Sequence, residues 1–318
     1  MAADQILAAD QILAAGEILA AGEISEEAET SAAEMVEAGM AAVGTETKFG
    51  MLRAGPADAP ETLLFLHGWA GSKELWRHTL ALMPPQYRTI ALDLPGTGGT
   101  PLPADMQTIP QMAQWVAGVC TRLGLADVTL IGHSLGGNLA AEICLLFPGL
   151  VRRLVMADAA LDPDSLPVRA RWPLRRPYGL ATLAALRISM APLALLGHFV
   201  PAETQVGLWH GQARRCYWYV KANPSDRLLR VQLQALSDNP MLAARLRSLS
   251  LPILILHGEQ DPLVPVAQAH ALAKTLIHSI LGAGKPRPLG RRGSAPPGTS
   301  ASGTRLYTAS RGPFSLML

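Results

Sequence analysis

Charge of one sign is missing from each end of this chain. Residues 1–47 hold ten acidic side chains and no Lys or Arg; after Asp261 there is no acidic residue, while seven Lys and Arg remain. The formal net charge of +2 conceals this asymmetry. The stretch between the two ends is only mildly basic, so it offers no footprint for a nucleic acid. Cysteine is scarce as well. Cys120, Cys144 and Cys216 are too few and too scattered for a disulfide framework or a zinc site. Two of them lie in apolar helical runs, as buried free thiols do, which fits a reducing compartment and a cytoplasmic location. The N-terminus lacks the positive start and unbroken apolar stretch of a secretory signal, because acids interrupt it about every six residues. No membrane span is expected.

Apolar matter is plentiful. With 49% hydrophobic and 16% charged residues in 318, the chain can build one large core, or one domain with an insertion. It opens, however, on a hexapeptide repeat: Ala-Ala-Asp-Gln-Ile-Leu at 2–7 and 8–13, then Ala-Ala-Gly-Glu-Ile-Leu from Ala14, and once more ending in Ser25. Six residues turn a helix by about 600°, so successive Ile-Leu pairs are displaced by about 120° and no apolar stripe forms. Residues 1–44 are therefore expected to be an acidic extension outside the fold.

From there the pattern alternates. Thr45–Ala54 reads as an edge strand followed by a turn, Gly-Pro-Ala-Asp-Ala-Pro. Apolar runs follow at Thr62–His67, Arg88–Asp93, Val128–Gly132, Leu154–Asp158 and Ile253–Gly258, each trailed by a helical stretch. Near-continuous apolar strands alternating with helices imply an α/β fold, a mostly parallel sheet buried on both faces. In such sheets the ligand crevice lies beyond the carboxyl ends of the strands, where His67, Asp93, Ser134, Asp158 and Asp261 all fall.

The stretch Val128–Pro148 combines a short apolar strand, the turn Gly132-His133-Ser134-Leu135-Gly136 and an apolar-periodic helix that Pro148 stops. The pentapeptide alone arises by chance in about one chain in ten. Its position between a buried strand and a helix makes it a nucleophile elbow, with glycines where a Cβ would clash. Ser134 then needs a base, an acid to orient that base, and two N–H donors for the oxyanion. Leu135 supplies one donor, at the start of the helix, where the dipole also favours negative charge.

His67-Gly68-Trp69, Asp93-Leu94-Pro95-Gly96-Thr97-Gly98, Gly132-His133-Ser134-Leu135-Gly136-Gly137 and His257-Gly258-Glu259-Gln260-Asp261-Pro262 follow one another as they do in the α/β-hydrolase family. The chain resembles that family over about residues 45–281, most of all its small esterase, C–C hydrolase and perhydrolase branch. The His-Gly-Trp start is similar to pimeloyl-ester carboxylesterases. The resemblance implies an α/β-hydrolase fold with a helical lid at about 159–245. It also implies a serine hydrolase of carboxylic esters or related acyl compounds, working through an acyl-enzyme on Ser134 without cofactor or metal. The second oxyanion donor would be Trp69, its indole part of the acyl pocket. The orienting acid would be Asp261, with Asp158 one strand earlier as the alternative. Asp93 and the glycines after it would form a structural turn, and His67 and His133 would brace the elbow. Trp172, Trp209, Tyr217, Trp218 and Tyr219 in the lid suit a small substrate with an apolar acyl or aryl group.

A base histidine is the missing part. A helix over Pro265–Leu276 carries the chain roughly 18 Å away from Asp261, so His278 lands at the far side. Six extended residues, Ser279–Gly284, climb back by about 20 Å and bring position 285 to the crevice. The family has histidine there; this chain has Lys285. Residues 282–318 are basic, rich in Gly, Pro and Ser and without periodicity, so the tail is expected to be disordered and foreign to the fold. A second class of function stays open: an impaired member that binds a small ligand without turnover.

Overall fold

The computed structural model describes residues 37–43, 47–161, 188, 191–192, 195, 231–232, 242–259, 261, 263–276 and 279–284. The hexapeptide repeat, most of the expected lid, His278, Lys285 and the tail beyond it lie outside the described residues.

Eight strands form one sheet: β1 Glu37–Val43, β2 Thr47–Ala54, β3 Glu61–Leu66, β4 Tyr87–Leu92, β5 Val128–His133, β6 Val151–Ala157, β7 Ile253–Gly258 and β8 Ser279–Gly284. Their spatial order is β1-β2-β4-β3-β5-β6-β7-β8. The six strands from β4 to β8 in that order run parallel, and β2 and β1 add an antiparallel edge.

Period-two alternation explains why the parallel strands read as unbroken apolar runs. Leu64 and Leu66 face one layer with Ile90, Leu92, Leu130, Leu154 and Ile253. Leu63 and Phe65 face the other with Ala91, Ile131, Val155 and Leu254. The first face is covered by helices α2 (Ile109–Arg122) and α3 (Leu135–Leu146). The second is covered by Trp76, Leu80 and Met83, in and just after the short turn and helix α1 (Arg77–Leu82). Trp76 is fully buried, its ring 5.0 Å from that of Phe65. Helix α2 starts where sequence says a helix should. Thr108 and Gln111 close a capping box, and Pro110 occupies the first turn, where its missing N–H costs nothing.

Two expected boundaries move. Glu37–Val43, assigned by sequence to the extension, pair along their whole length with β2, so the sheet begins at 37 and β2 is no edge strand. Ala and Gly have little strand preference of their own, and this strand is made by its partner. At the other end β8 covers Ser279–Gly284, the six residues expected to be extended, and so takes in the first three residues of the expected tail, in parallel register with β7 from Ile253↔Ser279 to Gly258↔Gly284. Backbone pairing needs no apolar side chain, which is why Gly282, Ala283 and Gly284 extend the ladder. Among the described residues no helix is long and apolar enough to cross a membrane.

Candidate active site

Ser134 closes β5 and caps α3 with φ 53° and ψ −117°, a conformation that costs a non-glycine residue about 1–3 kcal/mol. The surrounding backbone holds it there. Its N–H donates to Ala157 O at 2.9 Å, and its carbonyl accepts from Gly137, Asn138 and Ala160 N–H at 3.0, 3.3 and 3.3 Å. The flanking glycines are needed for close approach. A Cβ on Gly132 would stand 2.2 Å from Gly136 O, and one on Gly136 would stand 2.4 Å from Leu66 O. Sequence and structure agree on this turn because its glycines declare it in the chain and the ends of β3 and β6 hold it in the fold.

Leu135 is the first residue of α3, so its N–H belongs to the helix N-terminus. The second expected donor, Trp69, lies in the loop after β3. A Cβ on Gly68 would touch Ser134 Cβ and His133 Nδ1 at 3.0 Å, which puts the loop against the elbow. Gly71 N–H closes it onto Gly68 O at 3.1 Å, and Ala70 adopts φ 57°.

His67 and His133 are buried beneath this loop. Leu94 N–H donates to His67 Nε2 at 3.1 Å, so that nitrogen is an acceptor and Nδ1 carries the proton, donated to Gly68 O at 2.8 Å. Burial lowers the pKa of His67 and pushes that of His133 down to about 3, the latter with smaller contributions from His67 and His257. Both stay neutral at ordinary pH. Asp93 is a structural anchor: it accepts Lys73 N–H and Lys73 Nζ at 2.9 and 2.7 Å and Gly99 N–H at 3.0 Å. Its turn therefore carries no phosphate-cradling role.

Across the crevice, Asp158 follows β6, His257 lies in β7 and Asp261 follows β7; one polar atom of each falls within 4.8 Å of the others. Asp158 Oδ1 accepts Gly258 N–H at 2.8 Å. Asp261 Oδ1 accepts Leu263 and Val264 N–H at 2.7 and 3.1 Å. His257 Nε2 donates to Val264 O at 2.8 Å. Burial raises the pKa of Asp158; His257 and the Gly258 N–H oppose the shift and Asp261 adds to it. Two carboxylates and an imidazole could in composition suit a metal, but the backbone already engages each of them. Sequence named Asp261 and Asp158 as candidate acids and quoted His257 in the same motif without giving it a role.

Two contacts were invisible in sequence. Glu142, 1% exposed on α3, takes a two-pronged bond from Arg245 with both distances 2.8 Å. Arg245 ends helix α4 (Leu242–Arg245), on the chain returning to β7. Gln232, wholly buried, accepts Ala70 N–H through Oε1 at 3.4 Å. Both pairs span more than 100 residues, so no local spacing announces them.

Known proteins share this architecture. A pimeloyl-[acyl-carrier protein] methyl ester esterase of Aromatoleum aromaticum is 30% identical over 226 residues, covering 67% of this chain and 85% of that one. A 3-oxoadipate enol-lactonase of Acinetobacter baylyi is 25% identical over 238 residues, covering 71% and 81%. The solved esterase of Exiguobacterium antarcticum superposes with a TM-score of 0.59 at 23% identity, over 78% of this chain and 90% of that one, a likeness of fold. The alpha/beta hydrolase fold family matches residues 61–281, a span that begins with β3 and includes the elbow, the loop of Trp69 and the Asp158–Asp261 cluster. By that match and by the strand order, the chain belongs to the alpha/beta hydrolase fold family.

Proposed function

We propose that this protein is a serine hydrolase of carboxylic esters or related acyl compounds, forming an acyl-enzyme on Ser134. The observation that carries the reading is the backbone of Ser134, held at φ 53° on a strand-to-helix turn whose glycines admit no Cβ. Strain maintained by so many hydrogen bonds belongs to a side chain that must stand clear of its own helix. Attack of Oγ on the ester carbonyl would place the oxyanion before the N–H groups of Leu135 and Trp69. The Ser134 proton would pass to a base beside Oγ, which the described residues do not supply, and Asp261 would orient the cation so formed; that proton would leave with the alcohol, and water would then release the acid from Ser134. The esterases and the lactonase to which the chain is similar support a small acyl substrate, which the aromatic residues of the lid segment would make mainly apolar. No cofactor enters this chemistry, and the reading places the protein in the cytoplasm.

One observation favours a second reading, an impaired member that binds its ligand without turnover. The described histidines around the elbow are engaged: His67 with Gly68 and Leu94, His257 with Val264, and His133 buried with its pKa at about 3. β8 ends at Gly284, in register with Gly258, and the next residue in sequence is Lys285. Loss of a base histidine costs roughly a million-fold in kcat, while an oxyanion hole can leave about 10³ to 10⁴ over water. The readings separate in an assay of p-nitrophenyl butyrate hydrolysis with and without added imidazole. Turnover that Ser134→Ala abolishes supports the first, and its acceleration by imidazole would mark a missing base. A rate indifferent to both changes supports the second.

A further inference from the structure

The carboxamide of Gln232 is wholly buried, and its Nε2 has no hydrogen-bond partner among the described residues. A backbone N–H can only donate, so the atom facing Ala70 N–H is the oxygen and the amide orientation follows from its neighbour. Buried donors are nearly always paired, and one left open beside a reactive centre calls for the group that completes it. The place is specific. Ala70 is two residues from Gly68, within about 7.6 Å of it at 3.8 Å per residue. The Cβ position of Gly68 in turn lies 3.0 Å from Ser134 Cβ. Gln232 comes from the segment between β6 and β7, so it joins that segment to the loop of the proposed oxyanion donor Trp69.

We propose that Gln232 is a specificity-determining residue. Oε1 holds the Gly68–Gly71 loop through Ala70, and Nε2 donates to a second oxygen acceptor in the acyl part of the substrate. The preferred class is then an ester whose otherwise apolar acyl chain carries a keto oxygen, in place of a plain alkanoyl ester. This rests on the reading of Ser134 as the nucleophile, but binding tests it apart from turnover. A site built to hydrogen-bond a substrate oxygen discriminates against the analogue lacking it, because its own donor is then left unpaired.

The test titrates Ser134→Ala, followed by ligand-observed NMR, with methyl hexanoate and with methyl 3-, 4- and 5-oxohexanoate. At least one oxo ester should bind about tenfold more tightly than methyl hexanoate, a difference of about 1.4 kcal/mol. The preference should vanish in Ser134→Ala/Gln232→Met. Should that variant fail to fold, the Gln232 side-chain amide protons of Ser134→Ala give the same answer, shifting downfield with the preferred oxo ester and not with methyl hexanoate. Equal affinity for all four esters, binding of none, or a preference that survives Gln232→Met overturns the proposal. Oxo-ester preference without turnover by the unmodified chain would sink the hydrolase reading and leave Gln232 as a ligand contact. Turnover without preference would do the reverse.

Discussion

The two walls of the crevice are held by different means. On the side of β5 and α3, everything that poses Ser134 lies within a few residues of it or in the adjoining strand ends, and is backbone. On the side of β6, β7 and β8, Asp158 meets Gly258 across 100 residues, and Arg245, on the chain returning to β7, reaches over to Glu142 of α3 across 103. β8 ends at Gly284, in register with Gly258, and Lys285 is the next residue in sequence. The difference teaches that the elbow is posed by backbone close to it, while the other wall depends on side chains that only the closed chain brings together.

Breaking the link between the walls should have the largest effect. Arg245→Met would leave Glu142 buried without its cation, a loss of about 3 kcal/mol, at the low end for buried pairs because Arg245 is 41% exposed. Replacing both partners by apolar residues should recover most of it in urea unfolding. An equal loss in the double variant would mean that the site cannot repack.

Gly136→Ala attacks the nucleophile wall alone. Its Cβ would meet Leu66 and His67 carbonyl oxygens at 2.4 and 2.6 Å, backbone atoms that cannot swing away. We expect a loss near the upper end of about 1–3 kcal/mol for overpacking, and lost ester hydrolysis even where the domain still folds. An active Gly136→Ala would show that the elbow tolerates a different backbone.

Acid should strain the nucleophile wall first. His133 has a folded pKa of about 3 against 6.5 for the free side chain, so the unfolded state takes up its proton first. The stability its neutral form provides is complete above pH 6.5 and is lost as pH falls toward 3, by up to about 1.4 kcal/mol per pH unit for one proton. His67 acts in the same direction. Asp158 works against them, its raised pKa favouring the fold below 3.8 and withdrawing that support as pH rises. In urea melts between pH 4 and 7, His133→Gln should flatten the slope; an unchanged slope would clear His133 of the role.

The smallest effect concerns the N-terminus. Deleting residues 1–36 should leave stability within about 0.5 kcal/mol. Deleting residues 1–44 removes β1 as well and bares the edge of β2, so its melting temperature should fall further. Equal melting temperatures for the two truncations would show that β1 adds nothing to the sheet.

What could be read in advance follows the same division. The elbow and the strand ends were legible because spacing along the chain expresses them directly; Asp261 and Asp158 were named through the resemblance, and the structure brings both into one cluster. β1 was not, since its Ala and Gly residues acquire strand geometry only from β2. Glu142–Arg245 and Gln232–Ala70 were not, because a buried polar side chain declares its partner only when the chain has closed. His257 was read as part of a motif but given no role, since only the juxtaposition of β6 and β7 brings it to two carboxylates.

The most direct measurement is the rate at which a fluorophosphonate probe labels the full chain, followed by mass spectrometry, with and without imidazole. Slow modification confined to Ser134, accelerated about tenfold or more by imidazole and absent in Ser134→Ala, is what the elbow predicts when none of the described histidines around it is free to act as its base. Fast stoichiometric labelling without imidazole would reveal a base within the chain and contradict the account of the second wall; no labelling of Ser134 under either condition would contradict the account of the first.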